Sequence, residues 1–202
     1  MSFTLDALAR VPPWQIADTL ALDGTMKAAL LRDWGVHVMR RYGPDEADQL
    51  RSLLGVDRHQ LPDSPEPDQR VPVGWQLALT RLIAQRHLGG DLLRLEPLLM
   101  EDASRRPVSL AERIARKALS PRRLLGQSSR IHAAIFDRGQ CLADVSKHEA
   151  TLTWTGASMF AEPTWRVVQI FALRGMYDVL DHRPPSVSAD EVHDGFRVHL
   201  TW

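Results

Sequence analysis

The chain has 202 residues, 44% of them hydrophobic, which is enough to bury a substantial core in one domain. Positive and negative side chains balance at 25 each, which removes the usual electrostatic argument for nucleic-acid binding. Cys141 is the single cysteine, so an intrachain disulfide is excluded and a reducing compartment is indicated. Neither a signal peptide nor an apolar run of about 20 residues is found. We therefore predict a cytoplasmic protein without membrane insertion.

The first part of the chain has the periodicity of amphipathic helices. Apolar residues at three- and four-residue spacing predict a helix over 23–42, and glycine and proline then introduce a second one over 44–56. Prolines and charges predict a surface loop over 57–72. A third helix is predicted over 73–88, because Gly89 and Gly90 follow it as a C-terminal stop.

The second part changes its apolar period from 3.6 to 2. Further helices are predicted over 91–105 and 107–119, but alternation then predicts antiparallel strands over 128–136 and 141–156. The chain ends in "DGFRVHLTW", residues 194–202, where apolar residues again alternate with polar ones. We predict that this last segment is a strand that closes the core.

A long helix is predicted between these strands, over 162–180. Because it is apolar on more than one face, we expect it between layers or at a subunit contact. A mostly helical N-terminal half, followed by a small antiparallel sheet with one long apolar helix, predicts an α+β fold. We predict a single α+β domain over 23–202 and an N-terminal extension over 1–22.

From about residue 30 onward the order of features resembles a large bacterial family of uncharacterised paralogues. The matching stretches are "VPVGWQLALTRLI", "HLGGDLLRLEPLLM", "LSPRRLLGQSSRIHAAIFDRGQCLADV", "ATLTWTG", "LRGMYDVL" and "FRVHLTW". That multi-paralogue family is itself remotely similar to the vinyl-reductase-type and haem-NO-binding-type ligand domains. The resemblance implies a helical front half, an antiparallel sheet behind it, frequent dimerisation and a buried apolar ligand pocket.

The resemblance also bears on cofactors. Haem-binding members of that wider group carry a tyrosine–serine–arginine pattern for the propionates and a proximal histidine. The stretch "QSSR", Gln127–Arg130, lacks the tyrosine, and no matching histidine is found. The chain also has no metal-ligand spacing such as HExxH or CxxC. We therefore predict no cofactor, haem included, no metal and no catalytic residue.

Our leading hypothesis is a non-enzymatic sensory or regulatory module. It binds a small apolar ligand or a protein partner, and it forms a homodimer. Large apolar side chains on the long helix and the sheet are the candidates for the pocket or interface. They are Trp154, Trp165, Val168, Phe171, Met176 and Trp202.

Two alternatives stay open. The first is an enzyme of unrecognised type that uses the Asp/His-rich segment 178–194, with Asp178, Asp181, His182, Asp190, His193 and Asp194. We favour this enzymatic alternative less than the ligand-binding module. The second is an adaptor that docks an acidic partner on an arginine-rich face, formed by Arg113, Arg116, Lys117, Arg122 and Arg123.

Overall fold

A computed structural model gives the fold of the protein and describes residues 2–62, 66, 68–104, 120–180 and 182–202. The predicted helix over 107–119 lies outside these residues. Within the described ranges, no helix is both long and apolar enough to cross a membrane.

The chain alternates short and long helices before it enters the sheet. The helices are α1 (Leu5–Ala9), α2 (Ile16–Leu20), α3 (Ala29–Tyr42), α4 (Pro44–Leu54), α5 (Val73–His87), α6 (Leu95–Ser104), α7 (Pro121–Leu125), α8 (Ser128–Ile135) and α9 (Pro163–Val179). The strands are β1 (Ser2–Phe3), β2 (Thr25–Lys27), β3 (Arg70–Pro72), β4 (Gln140–Val145), β5 (Glu149–Thr155), β6 (Ser186–Val192) and β7 (Gly195–Thr201). Short 3-10 turns lie at Leu92–Arg94 and Ser158–Ala161.

The main sheet is antiparallel, with strand order β1-β6-β7-β5-β4. Its register places Leu152 opposite Val198 and Trp154 opposite Phe196, all of them buried. Because side chains alternate along a strand, these residues share the inner face, and the residues between them form an outer, more polar face. Helix α9 packs on the inner face through its tryptophan at position 165.

The helical half is built around α5, which contacts α2, α3, α4 and α9. The α2–α5 contact is very close. A Cβ atom built on Gly74 would lie 2.2 Å from the carbonyl oxygen of Thr19, so α2 can reach this position only because residue 74 is glycine.

The predicted α+β fold class is confirmed, but the long helix is not apolar throughout. Helix α9 has 17 residues, and polar side chains interrupt its sequence. Arg166 pairs with Glu191 at 2.5 Å, and Arg174 pairs with Glu96 at 3.0 Å. These partners let the helix pack against several elements at once without an all-apolar surface. The prediction of a long apolar helix is therefore wrong about its apolar character.

Two local predictions also differ from the structure. Residues 128–135 form helix α8 rather than a strand, because Ile131 and Ile135 fit a four-residue spacing as well as a two-residue one. Residues 186–192, for which no strand was predicted, form β6, and their side chains are mostly polar or small because β6 is only partly buried.

The first 22 residues, predicted to be an extension, contribute β1, α1 and α2. Ser2 and Phe3 pair with Asp190 and Ala189 of β6, and α1 contacts α9. The domain boundary at residue 23 stays a prediction.

Candidate functional site

The predicted pocket residues on β5 and α9 form an aromatic cluster in the core. The rings of Trp154 and Trp165 lie 5.5 Å apart at 80°, and Phe160 lies 4.8 Å from Trp165. Phe171 is buried as well. These side chains fill the space between helix and sheet by edge-to-face and tilted packing.

The remaining members of that set are only partly buried. Val168 and Met176 are half-buried, and the ring of Trp202 lies 5.9 Å from Tyr177. Trp202 thus packs beside the core at the end of β7. A ligand-binding or interface role for the predicted set stays a prediction.

Some buried polar atoms in the described part of the chain have no hydrogen-bond partner. They include Nε1 of Trp165, the hydroxyl of Tyr177 and Nε of Arg81. Burial raises the pKa of Tyr177 to about 12, so the phenol is protonated at neutral pH. Buried polar groups are normally bonded, so internal water or a polar ligand atom would be stabilised at these positions.

Arg81 belongs to a buried polar cluster that joins three helices. Its Nη1 donates to the hydroxyl of Thr19 on α2 at 3.2 Å. Glu162 caps α9 by accepting from the backbone N–H of Trp165 at 2.8 Å and from the hydroxyl of Thr164 at 3.0 Å. Burial raises the pKa of Glu162, while its hydrogen bonds and the charge of Arg81 oppose that shift. The sequence gives no local signal that Thr19, Arg81 and Glu162 meet, because these three residues are far apart along the chain.

An apolar cavity of about 30 Å³ lies between α3, α4 and α5. Its lining is aliphatic except for one arginine, and consists of Leu31, Gly35, Val38, Ala47, Leu50, Arg51, Leu54, Leu61, Pro62 and Leu79. Arg51 donates from Nε to the carbonyl oxygen of Leu61 at 3.0 Å and pairs with Asp48 at 2.9 Å. The bond to Leu61 joins α4 to the segment with Leu61 and Pro62, which lines the cavity. Sequence reasoning missed this site, although a glycine inside a helix at position 35 was a usable signal.

The Asp/His-rich segment is separated by the fold. Asp178 and His182 are exposed near the end of α9, and His193 and Asp194 are exposed in the β6–β7 turn. Asp181 lies outside the described residues. No group of three or more His, Cys, Asp or Glu side chains in the described part of the chain is arranged to hold a metal ion.

Asp190 of that segment instead joins a row of polar side chains on the outer face of the sheet. Its Oδ2 lies 2.9 Å from Nε2 of His199, and Nδ1 of the same ring lies 3.1 Å from the hydroxyl of Thr151. Arg197 lies on the same face, with its Nε 3.4 Å from the hydroxyl of Thr153. The strand periodicity could have predicted which of these residues share a face, but not which strands are neighbours.

The arginine-rich face is described only in part, because Arg113, Arg116 and Lys117 lie outside the described residues. Arg122 and Arg123 are exposed on α7 and line an open depression of about 640 Å³. Cations at this surface are available to an acidic partner, and that role stays a prediction.

No protein-family model matches the sequence, and neither does any curated protein. Solved structures do match. One is an H-NOX protein from S. oneidensis in the Fe(II)NO ligation state, with a TM-score of 0.59 and 12% identity over 87% of this chain and 98% of that chain. Another, from work on heme distortion in the H-NOX family, has a TM-score of 0.55 and 14% identity over 88% and 95%. A third, from work on heme redox potential and porphyrin distortion, has a TM-score of 0.55 and 14% identity over 88% and 100%.

These comparisons test two predictions. The predicted similarity to haem-NO-binding-type domains is confirmed at the level of the fold, while the similarity to vinyl-reductase-type domains stays a prediction. The prediction of no cofactor, haem included, is contradicted, because the similar structures are described as H-NOX proteins, by their heme, or by both. At identities of 12–14%, the structural similarity establishes the architecture alone: the chain has an H-NOX-like fold.

Proposed function

We propose that this protein is a sensory or regulatory module that binds a small apolar ligand in the cavity between α3, α4 and α5. One observation carries the proposal: a fold shared with H-NOX proteins contains an aliphatic cavity in its helical half. An apolar cavity binds apolar guests because their contact with water is removed.

The size of the cavity limits the ligand. A volume of about 30 Å³ exceeds the minimum for one water molecule but suits only a diatomic molecule or one small apolar group. A larger ligand requires the segment with Leu61 and Pro62 to lift from Arg51. The hydrogen bond between Arg51 and Leu61 is therefore one of the contacts that couple ligand size to a change of shape.

Haem is the other ligand to consider, because the similar structures are described by it. An iron porphyrin needs an axial side chain, commonly histidine. His132 is buried beside the sheet, and burial lowers its pKa, so its imidazole is neutral at pH 7 as a metal ligand must be. However, the ring of His132 stacks on Phe136 at 5.0 Å, and its Nε2 lies 3.0 Å from the carbonyl oxygen of Arg138. The described residues around His132 thus present a packed histidine rather than a cleft shaped for a porphyrin.

Xenon is the probe for the cavity, because it is apolar and reports occupancy without hydrogen bonding. Methyl NMR spectra of the purified protein are recorded with and without xenon. We expect shift changes at the methyl groups of Leu50, Leu54 and Leu79, which line the cavity. Ala47→Val adds two methyl groups to the lining and should weaken these changes. Ala172→Val makes the same change at an exposed position of α9 and should leave them intact.

Two different results would contradict the proposed apolar ligand site. The cavity would be excluded as the ligand site if xenon caused no shift changes at the methyl groups that line it. The same conclusion would follow if the shift changes were equal in Ala47→Val and Ala172→Val. Native mass spectrometry and absorption spectra of freshly purified protein test the cofactor directly. A Soret band with one haem per chain, lost in His132→Ala, would show that the protein binds haem rather than a small apolar molecule. The same mass spectra test the predicted homodimer.

A further inference from the structure

We propose that the outer face of the sheet carries a hydrolytic site for uncharged carboxylic esters, with Thr151 as nucleophile, His199 as base and Asp190 as the group that orients the imidazole. The site lies on β5, β6 and β7, away from the helix cavity. The proposal is therefore independent of the proposed ligand-binding function.

The strand register brings the three side chains together. Thr151 lies directly opposite His199, and Asp190 lies on the next strand, one diagonal step from His199. All three belong to the outer set of alternating positions, since buried residues flank Thr151 and His199 on both sides and Ala189 precedes Asp190. Neighbouring strands of a paired sheet hold such residues at fixed separations, so the row is positioned by the backbone ladder.

The hydrogen bonds set the direction of proton transfer. The carboxylate of Asp190 accepts from Nε2–H of His199 at 2.9 Å, which leaves the lone pair of Nδ1 for the hydroxyl of Thr151 at 3.1 Å. This tautomer follows from the hydrogen-bond network. A hydroxyl bonded to an imidazole, itself oriented by a carboxylate, is the arrangement that activates serine nucleophiles, and threonine supplies the same hydroxyl group here.

An open depression of about 420 Å³ lies beside the hydroxyl and gives room for a substrate. Its lining is Leu142, Ala143, Asp144, Thr151, Thr153, Arg197 and His199. Arg197 uses Nε toward Thr153, and among the described residues the rest of its guanidinium has no hydrogen-bond or ion-pair partner. Its remaining N–H donors can stabilise an oxyanion.

Two other residues of the depression define the substrate class. Asp144 lies opposite Thr151 on β4, and its carboxylate disfavours an anionic substrate next to the nucleophile. Leu142 is 57% exposed and offers an apolar surface for a short acyl group. An uncharged, short-chain ester fits this combination best.

The reaction is balanced without a redox partner. The Thr151 oxygen attacks the ester carbonyl carbon, and its proton passes to Nδ1 of His199. The bond from the carbonyl carbon to the alkoxy oxygen then breaks, His199 returns the proton to the leaving alcohol, and Thr151 is left acylated. Water next attacks the acyl group, one of its protons passes through His199 to the Thr151 oxygen, and the carboxylic acid leaves.

The test is the hydrolysis of p-nitrophenyl acetate by the full chain and four matched variants. Thr151→Val keeps the shape of the side chain and removes the hydroxyl, and we expect it to reduce turnover to the buffer rate. His199→Gln and Asp190→Asn should lower the rate by about 10²-fold or more, the range of general base catalysis. Thr155→Val makes the same change on the same strand face outside the depression and should retain the wild-type rate.

A second readout separates catalysis from a structural role. An acid quench of the reaction should trap an acetyl group on the peptide that contains Thr151, and Thr151→Val should abolish that adduct. A polar pair with a merely structural role on an exposed sheet face would produce neither turnover nor an adduct. Turnover equal to buffer in the wild type, or turnover and adduct unchanged in Thr151→Val, would overturn the proposal.

Discussion

Two helical glycines allow a sharp test of the packing, because the structure predicts opposite effects for the same substitution. A Cβ atom at Gly35 would meet no atom within 4 Å beyond its own helix and chain neighbours. A Cβ atom at Gly74 would lie 2.2 Å from the carbonyl oxygen of Thr19 and 3.0 Å from Cα of Leu20. Gly35→Ala should therefore stabilise the protein, and Gly74→Ala should destabilise it.

The magnitudes follow from helix propensity and steric fit. Gly35 lies in the interior of α3, where glycine costs about 0.5–1 kcal/mol relative to alanine. A partly buried methyl group adds a fraction of about 0.8 kcal/mol, so we expect a gain of about 1 kcal/mol in the free energy of unfolding. At Gly74 the two backbones must separate, and overpacking of this kind costs about 1–3 kcal/mol.

Thermal and urea denaturation measure both variants against the wild type. For a domain of this size, about 1 kcal/mol shifts Tm by about 2–4 °C, so Gly35→Ala should raise Tm by that amount. Gly74→Ala should lower Tm while far-UV circular dichroism retains the native helix content. A lower Tm for Gly35→Ala, or shifts of the same sign in both variants, would refute the assigned α2–α5 contact and the open space at α3.

Three further predictions concern other parts of the molecule. The thiol of Cys141 is buried, which raises its pKa to about 12, so we expect iodoacetamide at pH 8 to react with it only on unfolding; rapid labelling of the native protein would contradict its placement. Burial raises the pKa of Glu162 above its ordinary value of 4.5, so its ionisation opposes folding as pH rises. The free energy of unfolding of Glu162→Gln minus that of the wild type should therefore increase from pH 4 to pH 8 in urea titrations, and a decrease would reverse the assigned direction. Arg51→Met removes the donor to the Leu61 carbonyl, and hydrogen exchange should accelerate over residues 57–62 but not in β5; unchanged exchange would show that Arg51 does not hold this segment.

Local patterns predicted the elements whose sequence signals are strong. The helix predicted over 73–88 is α5, Val73–His87, because apolar periodicity and the following glycines agree. The alternation in "DGFRVHLTW" predicted β7 for the same reason. The prediction of a strand over 128–136 was wrong because a short apolar run fits both the helical and the strand period. The contact of α8 with β4 decides between the two.

The candidate sites depend on contacts between segments that are distant in the sequence. The cavity is formed by three helices, and its recognition requires knowing that α3 and α5 pack on α4. Thr151 and His199 are 48 positions apart, yet the β5–β7 register places them side by side. A sequence pattern can assign both residues to the polar face of a strand, but strand order and register arise from long-range packing.

The strand order also determines how long each site keeps its shape. Strands β5 and β7 have a paired neighbour on both sides, so their amide groups are expected to exchange with solvent only in the rarest, most extensive openings of the fold. The row from Thr151 to Asp190 is anchored on these strands and on β6. The cavity instead is lined in part by the segment before residue 63, which side-chain hydrogen bonds tie to α4, among them the bond from Arg51 to the Leu61 carbonyl. The side chains on the sheet face are therefore expected to keep their geometry during local fluctuations. The segment that lines the helix cavity is expected to open without the rest of the fold.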